Sequence, residues 1–169
     1  NTTVTVFGTQ TLYAHWTEHE YTVTVVKIGM PEWGSVTPMS TKAKAGETVT
    51  LTATPTTGNR FKEWVFLNKP EGGGRVNPVL TFTMPAEDVT VQAHFQVKYY
   101  TISYTLEGVS GGSASIVRWG DKVFKYLPQN PTYQDWVFTG WKCGDVTVTE
   151  DMTYGDLAGS DTVSSIHII

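Results

Sequence analysis

Alternation with a period of two runs through most of this chain and restricts it to sheets with one dry and one wet face. In VTLTA, residues 49–53, Val49, Leu51 and Ala53 face one way and Thr50 and Thr52 the other. LTFTM at 80–84 repeats this with Leu80, Phe82 and Met84, and VTVQAHF at 89–95 sends Val89, Val91, Ala93 and Phe95 inward. In YTVTVV, Tyr21, Val23 and Val25 share a face. Threonine suits the wet positions because its branched Cβ fits the pleat. No amphipathic helix longer than two turns is legible, and KVFKYLP at 122–128 and MTYGDLA at 152–158 are the segments expected to make short helical turns. The expected fold class is mainly β with little helix.

The strands are organised into a repeat. Trp16 corresponds to Phe95 and Tyr21 to Tyr100 at one common separation. AGETV at 45–49 corresponds to WGDKV at 119–123, and PTTGNRFKEWVF at 55–66 to PTYQDWVFTGWKC at 131–143, which pairs Trp64 with Trp141 and Phe66 with Cys143. SIHII at 165–169 falls where LYAHW and VQAHF close their units. The landmarks keep one order: opening strand, Gly-containing turn, a G-[ED]-x-V strand entry, an aromatic-x-x-Trp strand, closing strand. Two tandem modules of roughly 75 residues are expected, at 20–97 and 98–169, with the tail of a preceding repeat at 1–19. A chain that opens on a closing strand is expected to be a piece of a longer array. Leu12, Ala14 and Trp16 are then expected to bury themselves against the module at 20–97, or to pair with a neighbouring chain's open edge and cause self-association. The short polar joints TEHE and QVK are expected to allow limited swivelling.

The second module carries YTISYTLEGVSGGSA, WGDKV, LPQNPTY, VFTGWKCGDVTVTE and TVSSIHI, and the unit before the first module closes on LYAHW. On these motifs the second module resembles the internalin B-type, or Listeria–Bacteroides, repeat. The first module, with GSVTP, KAGETVTLTATPTTGNRFKEW, TFTMPAEDVTV and AHF, resembles a divergent relative of that repeat. The resemblance implies small β-grasp-like modules in the extracellular part of bacterial surface or secreted proteins, serving as spacers and interaction modules and not as enzymes. Two departures are KPEGGGRVNP at 69–78, which lengthens a loop, and the closing Trp missing at Ile169.

Charge and motifs exclude most alternatives. The formal charge is −4 and the 12 basic residues form no cluster, so no nucleic-acid partner is expected. No apolar run approaches a membrane span and no secretory leader is legible. One cysteine rules out an internal disulfide or a multi-cysteine zinc site. GVSGG at 108–112 satisfies G-x-S-x-G around Ser110, but the strand-like SASIVRW follows where a hydrolase elbow requires a helix. His15 and His94 lie on the same outward position of different modules, His19 is separated from His15 by a strand end without paired-ligand spacing, and His167 adds nothing to them. Asp145, Glu150, Asp151, Asp156 and Asp161 lack the alternating pattern of a calcium loop. No cofactor and no metal site is expected. Cys143 shares the Trp141 face and reads as a buried small hydrophobe.

Trp64 and Trp141 read as core anchors. Trp33, Trp119 and Trp136 have no such place and are the candidate ligand-binding residues. Two functions therefore stand at this level. One is a spacer and adhesion region that meets a host or cell-surface protein or glycan; the other is a carbohydrate-binding module stacking sugars on those indoles.

Overall fold

A computed structural model describes residues 8, 11, 13–68, 75–106, 114–129 and 131–169. The first module opens with β1 (Glu20–Ile28), followed by a 3-10 turn at Pro31–Trp33, β2 (Gly34–Thr37), β3 (Ser40–Lys44), β4 (Thr48–Pro55), β5 (Asn59–Phe66), β6 (Val79–Thr83) and β7 (Val89–Val97). The opening and closing strands lie side by side and parallel, Val23 opposite Val89, in a sheet ordered β3-β1-β7-β5 with antiparallel edges. A second sheet, β2-β4-β6, supplies the facing layer. Every inward position read from the alternation in β4 and β7 is buried, because a residue that shares a face with buried neighbours leaves water with them. One cluster holds this module together, from Val23 to Phe95, around the fully buried Trp64.

The second module has β8 (Tyr100–Tyr104), β9 (Ala114–Val117), a 3-10 turn at Val123–Tyr126, β10 (Trp141–Cys143), β11 (Val146–Val148), α1 (Tyr154–Ala158) and β12 (Ser165–Ile168). Here too the opening and closing strands are parallel neighbours, in the order β12-β8-β9. Lys142 and Ile169 exchange two backbone hydrogen bonds of 2.8 Å, which sets β10 against the end of β12. The order β9-β8-β12-β10 therefore reproduces β3-β1-β7-β5. A separate cluster, from Tyr100 to Ile168, closes around Trp141 and Tyr154.

Both segments expected to turn helically do so. The facing layer nevertheless departs from the expected landmarks. WGDKV does not enter a strand: Val123 starts a 3-10 turn where Val49 runs into β4, and α1 stands where the first module has β6. The difference is local chemistry. Thr153 accepts a hydrogen bond from the Asp156 N–H while the Asp156 carboxylate takes one from the Thr153 N–H, a capping box that a short segment needs to become helix. Thr153→Ala is expected to cost about 1 kcal/mol, measured as a lower urea midpoint for amides of the second module.

A second correction concerns register. SIHII does not occupy the place of VQAHF. Ile166 lies opposite Ile102 as Val89 lies opposite Val23, so Ser165–Ile168 matches the beginning of β7. The two alignments differ by three residues, an odd slip that exchanges the faces: the first would set the buried Ile166 and Ile168 at the outward positions of Gln92 and His94. Alternation therefore rejects the first alignment, but it does not choose among those that keep the faces.

The tail does not dock on the module at 20–97, the first of the two fates expected for it. Trp16 is 89% exposed, Ala14 is exposed, and residues 13–19 pair with no strand; Leu12 lies outside the described residues. Both neighbours of β1 are already present as β3 and β7, so the chain entering at Glu20 finds no free edge there. Glu18 meets Lys44, and the His19 ring packs edge-on against Tyr21 at 4.6 Å.

Candidate functional site

The three candidate tryptophans are not brought together. No ring–ring contact among the described residues joins any two of them. Trp33 ends its 3-10 turn half-buried against the first core, with its ring over Gly29, where a Cβ would come within 2.7 Å of it. Its carbonyl accepts a 3.1 Å hydrogen bond from the Thr56 N–H, and the Thr56 hydroxyl donates to the Glu32 carbonyl at 2.7 Å. These bonds tie the Trp33 turn to the Thr56–Asn59 turn at one end of the module.

Trp119 is held against that same end. A Cβ on Gly58 would fall 2.6 Å from the Trp119 Cβ, and one on Gly155, in α1, 2.6 Å from its Cε2. The indole fits because both facing residues lack side chains. Gly58 has φ 77°, a left-handed turn conformation that favours glycine independently. On its inner side Trp119 packs with Tyr100 and Tyr154, ring centroids 5.7 and 6.1 Å away. Trp136 is the exception, 75% exposed beside the exposed Val137, on a turn closed by a 2.9 Å bond from its N–H to the Tyr133 carbonyl.

Around Trp119 lie Lys98 and Gly58, which the sequence did not single out, and Asp161, which it offered only as a calcium ligand. The Lys98 N–H donates to the Gly58 carbonyl at 2.9 Å, and its ammonium meets Asp161 at 2.9 Å, both side chains half-buried. The bonded Lys98 ammonium holds the Asp161 carboxyl below its usual range, helped by the Gly58 N–H. A signal was present in the sequence. Trp119 stands where the first module has the small Ala45, and an indole replacing alanine at a turn requires something to cover it.

The other candidates are dispersed. Asp151 pairs with Lys122 at 2.6 Å, and Asp156 caps α1. Among the described residues no three His, Cys, Asp or Glu side chains converge. Cys143 is half-buried rather than buried, and burial pushes its thiol up. Ser110 and residues 69–74 of the long loop lie outside the described residues. From the remainder of that loop, the Asn77 carbonyl accepts from Trp64 Nε1 at 3.0 Å and Arg75 lies 5.2 Å over the Phe66 ring. His167, opposite Ser103 in the sheet, is held between the Ser103 hydroxyl at 2.8 Å and that of Thr105 at 3.1 Å. No helix among the described residues is long and apolar enough to cross a membrane.

The carboxyls carry a pH prediction. Asp156, bonded by the Thr153 N–H and hydroxyl, and Asp161 both sit below the ordinary value. Their contribution to stability is present above the unfolded carboxylate value, ~3.9, and is lost as pH falls through the depressed folded values. An NMR titration of the two side-chain carboxyls checks this; midpoints at or above the unfolded value contradict it.

The fold so far is that of small mixed-sheet modules with parallel first and last strands. Residues 21–99 match the family model of the divergent InlB B-repeat domain. Repeats of this kind are typical of bacterial surface and secreted proteins. No curated protein and no solved structure is matched by the chain.

Proposed function

We propose that these modules are a non-catalytic repeat region of a bacterial cell-surface or secreted protein, acting as spacer and as adhesion and interaction modules. The observation that carries this reading is the recurrence of one strand order around two separate cores, in a chain whose first module matches the family model of the divergent InlB B-repeat domain. Modules that each close their own core string together without rebuilding it, and their loops stay free for partners. The partner on this reading is a host or cell-surface protein or glycan. Antibodies against residues 20–169 are expected to label intact cells that produce the protein, and surface proteolysis to remove the label. Labelling only after lysis overturns the reading. A fluorophosphonate probe is expected to leave Ser110 unmodified.

A second reading is favoured by one observation, the open indole of Trp136 next to Val137. An exposed aromatic face stacks on the apolar face of a sugar, as in carbohydrate-binding modules. A glycan array followed by tryptophan-fluorescence titration separates the two. The first reading expects no saturable shift that depends on Trp136; a shift that Trp136→Ala abolishes establishes the carbohydrate-binding one.

A further inference from the structure

We propose that Trp119 is a joint residue, and that its indole, seated between Gly58 of the first module and Gly155 of the second, locks the two modules in one relative orientation. Three independent contacts cross the joint at that point. The indole fills a notch that exists because neither facing residue has a side chain, so its Cβ lies against Gly58 while its five-membered ring edge lies against Gly155. The chain leaving β7 is pinned to the same turn by the 2.9 Å bond from the Lys98 N–H to the Gly58 carbonyl. The Lys98 ammonium reaches Asp161, which lies in the second module just before β12, at 2.9 Å.

These contacts differ in kind, and together they remove the freedom a linker alone would leave. A hydrogen-bonded connector fixes the path of the chain but permits rotation about it. A packed indole off the connector's axis opposes that rotation, since turning would lift its Cβ side from Gly58 and expose that contact to water. The ion pair adds a second off-axis restraint. Behind the indole, Tyr100 and Tyr154 belong to the buried core of the second module, so the wedge is anchored in its own module and only its outer face is shared. The joint is thus stiffer than the limited swivelling that the short polar QVK suggests. It deepens the spacer reading, on which its biological meaning rests, because a spacer with fixed angles sets direction as well as distance.

Residual dipolar couplings of backbone amides in the full 169-residue chain test it. In the unaltered protein, couplings from residues 20–97 and from 100–168 are expected to fit one common alignment tensor. Gly58→Asn keeps a residue that tolerates the left-handed turn while placing a Cβ against the indole. That variant is expected to split the data into two tensors of different magnitude while both modules keep dispersed spectra. Trp119→Ala, and Lys98→Ala combined with Asp161→Asn, are expected to move in the same direction. Because Trp119→Ala also strips packing from the second core, Gly58→Asn decides the matter. Two tensors in the unaltered protein, or one unchanged tensor in Gly58→Asn, overturns the proposal. Either result leaves the spacer reading standing, since cell-surface labelling and glycan titration test that reading without reference to orientation.

Discussion

Replacing Trp64 with alanine is expected to unfold the first module and leave the second folded. Trp64 is fully buried at the centre of a cluster that shares no residue with the second core. It packs on Phe61, ring centroids 5.1 Å apart, and its Nε1 donates to the Asn77 carbonyl, so alanine leaves a large cavity and an orphaned acceptor together. Truncations of buried tryptophan cost roughly 3–5 kcal/mol. A module of this size has little stability to spare, because a small domain buries a smaller share of its surface. Urea unfolding followed by amide signals is expected to show residues 20–97 melting early or already unfolded in water. The signals of 100–168 persist, with a smaller downward shift from the lost contact at Gly58. Trp141→Ala is expected to give the mirror image. One coincident transition, displaced equally in both halves, would contradict two separate cores.

Gly34→Ala is expected to destabilise the first module by about 2 kcal/mol through overpacking alone. Gly34 opens β2 with φ 167°, extended backbone that any residue adopts, so no conformational penalty arises. With free space, the change would be mildly stabilising because it narrows the unfolded ensemble. There is no space: the new Cβ would lie 2.3 Å from Cε1 and 2.6 Å from Cδ1 of Phe95. The Phe95 ring has little room to retreat, being buried and packed edge-on to Phe61 at 5.7 Å. Phe95→Leu relieves the collision, so a double-mutant cycle with Gly34→Ala is expected to show coupling of more than ~1 kcal/mol. Additive costs would show that the close approach does not govern stability here.

Phe95 was legible because it sits at an inward step of an alternating run, and Trp64 and Trp141 because they share one repeat position within strands that read as core. The docking of the tail on the first module was not read correctly. LYAHW has the alternation of a closing strand, yet Trp16 lies open because pairing depends on which edges remain free, and β1 has none. The tryptophans without core positions were separable from Trp64 and Trp141 by pattern, but their differing fates were not. Trp33 rests on its own module, Trp119 meets two modules, and Trp136 meets water. Gly58 went unnoticed, and Asp161 was weighed only as a calcium ligand, because neither carries a local pattern that points toward a partner some sixty or more positions away in the chain.

By itself, the order of residues determined which side of each strand is dry, which indoles anchor a core and how many cores there are, because strand periodicity and the clustering of apolar positions are local properties of the chain. Only the tertiary structure decided the register of the closing strand, the replacement of β6 by α1 in the facing layer, and the meeting of Trp119 with Gly58. Each of these turns on which distant segment arrives as a neighbour, and an alternating pattern constrains faces without choosing neighbours.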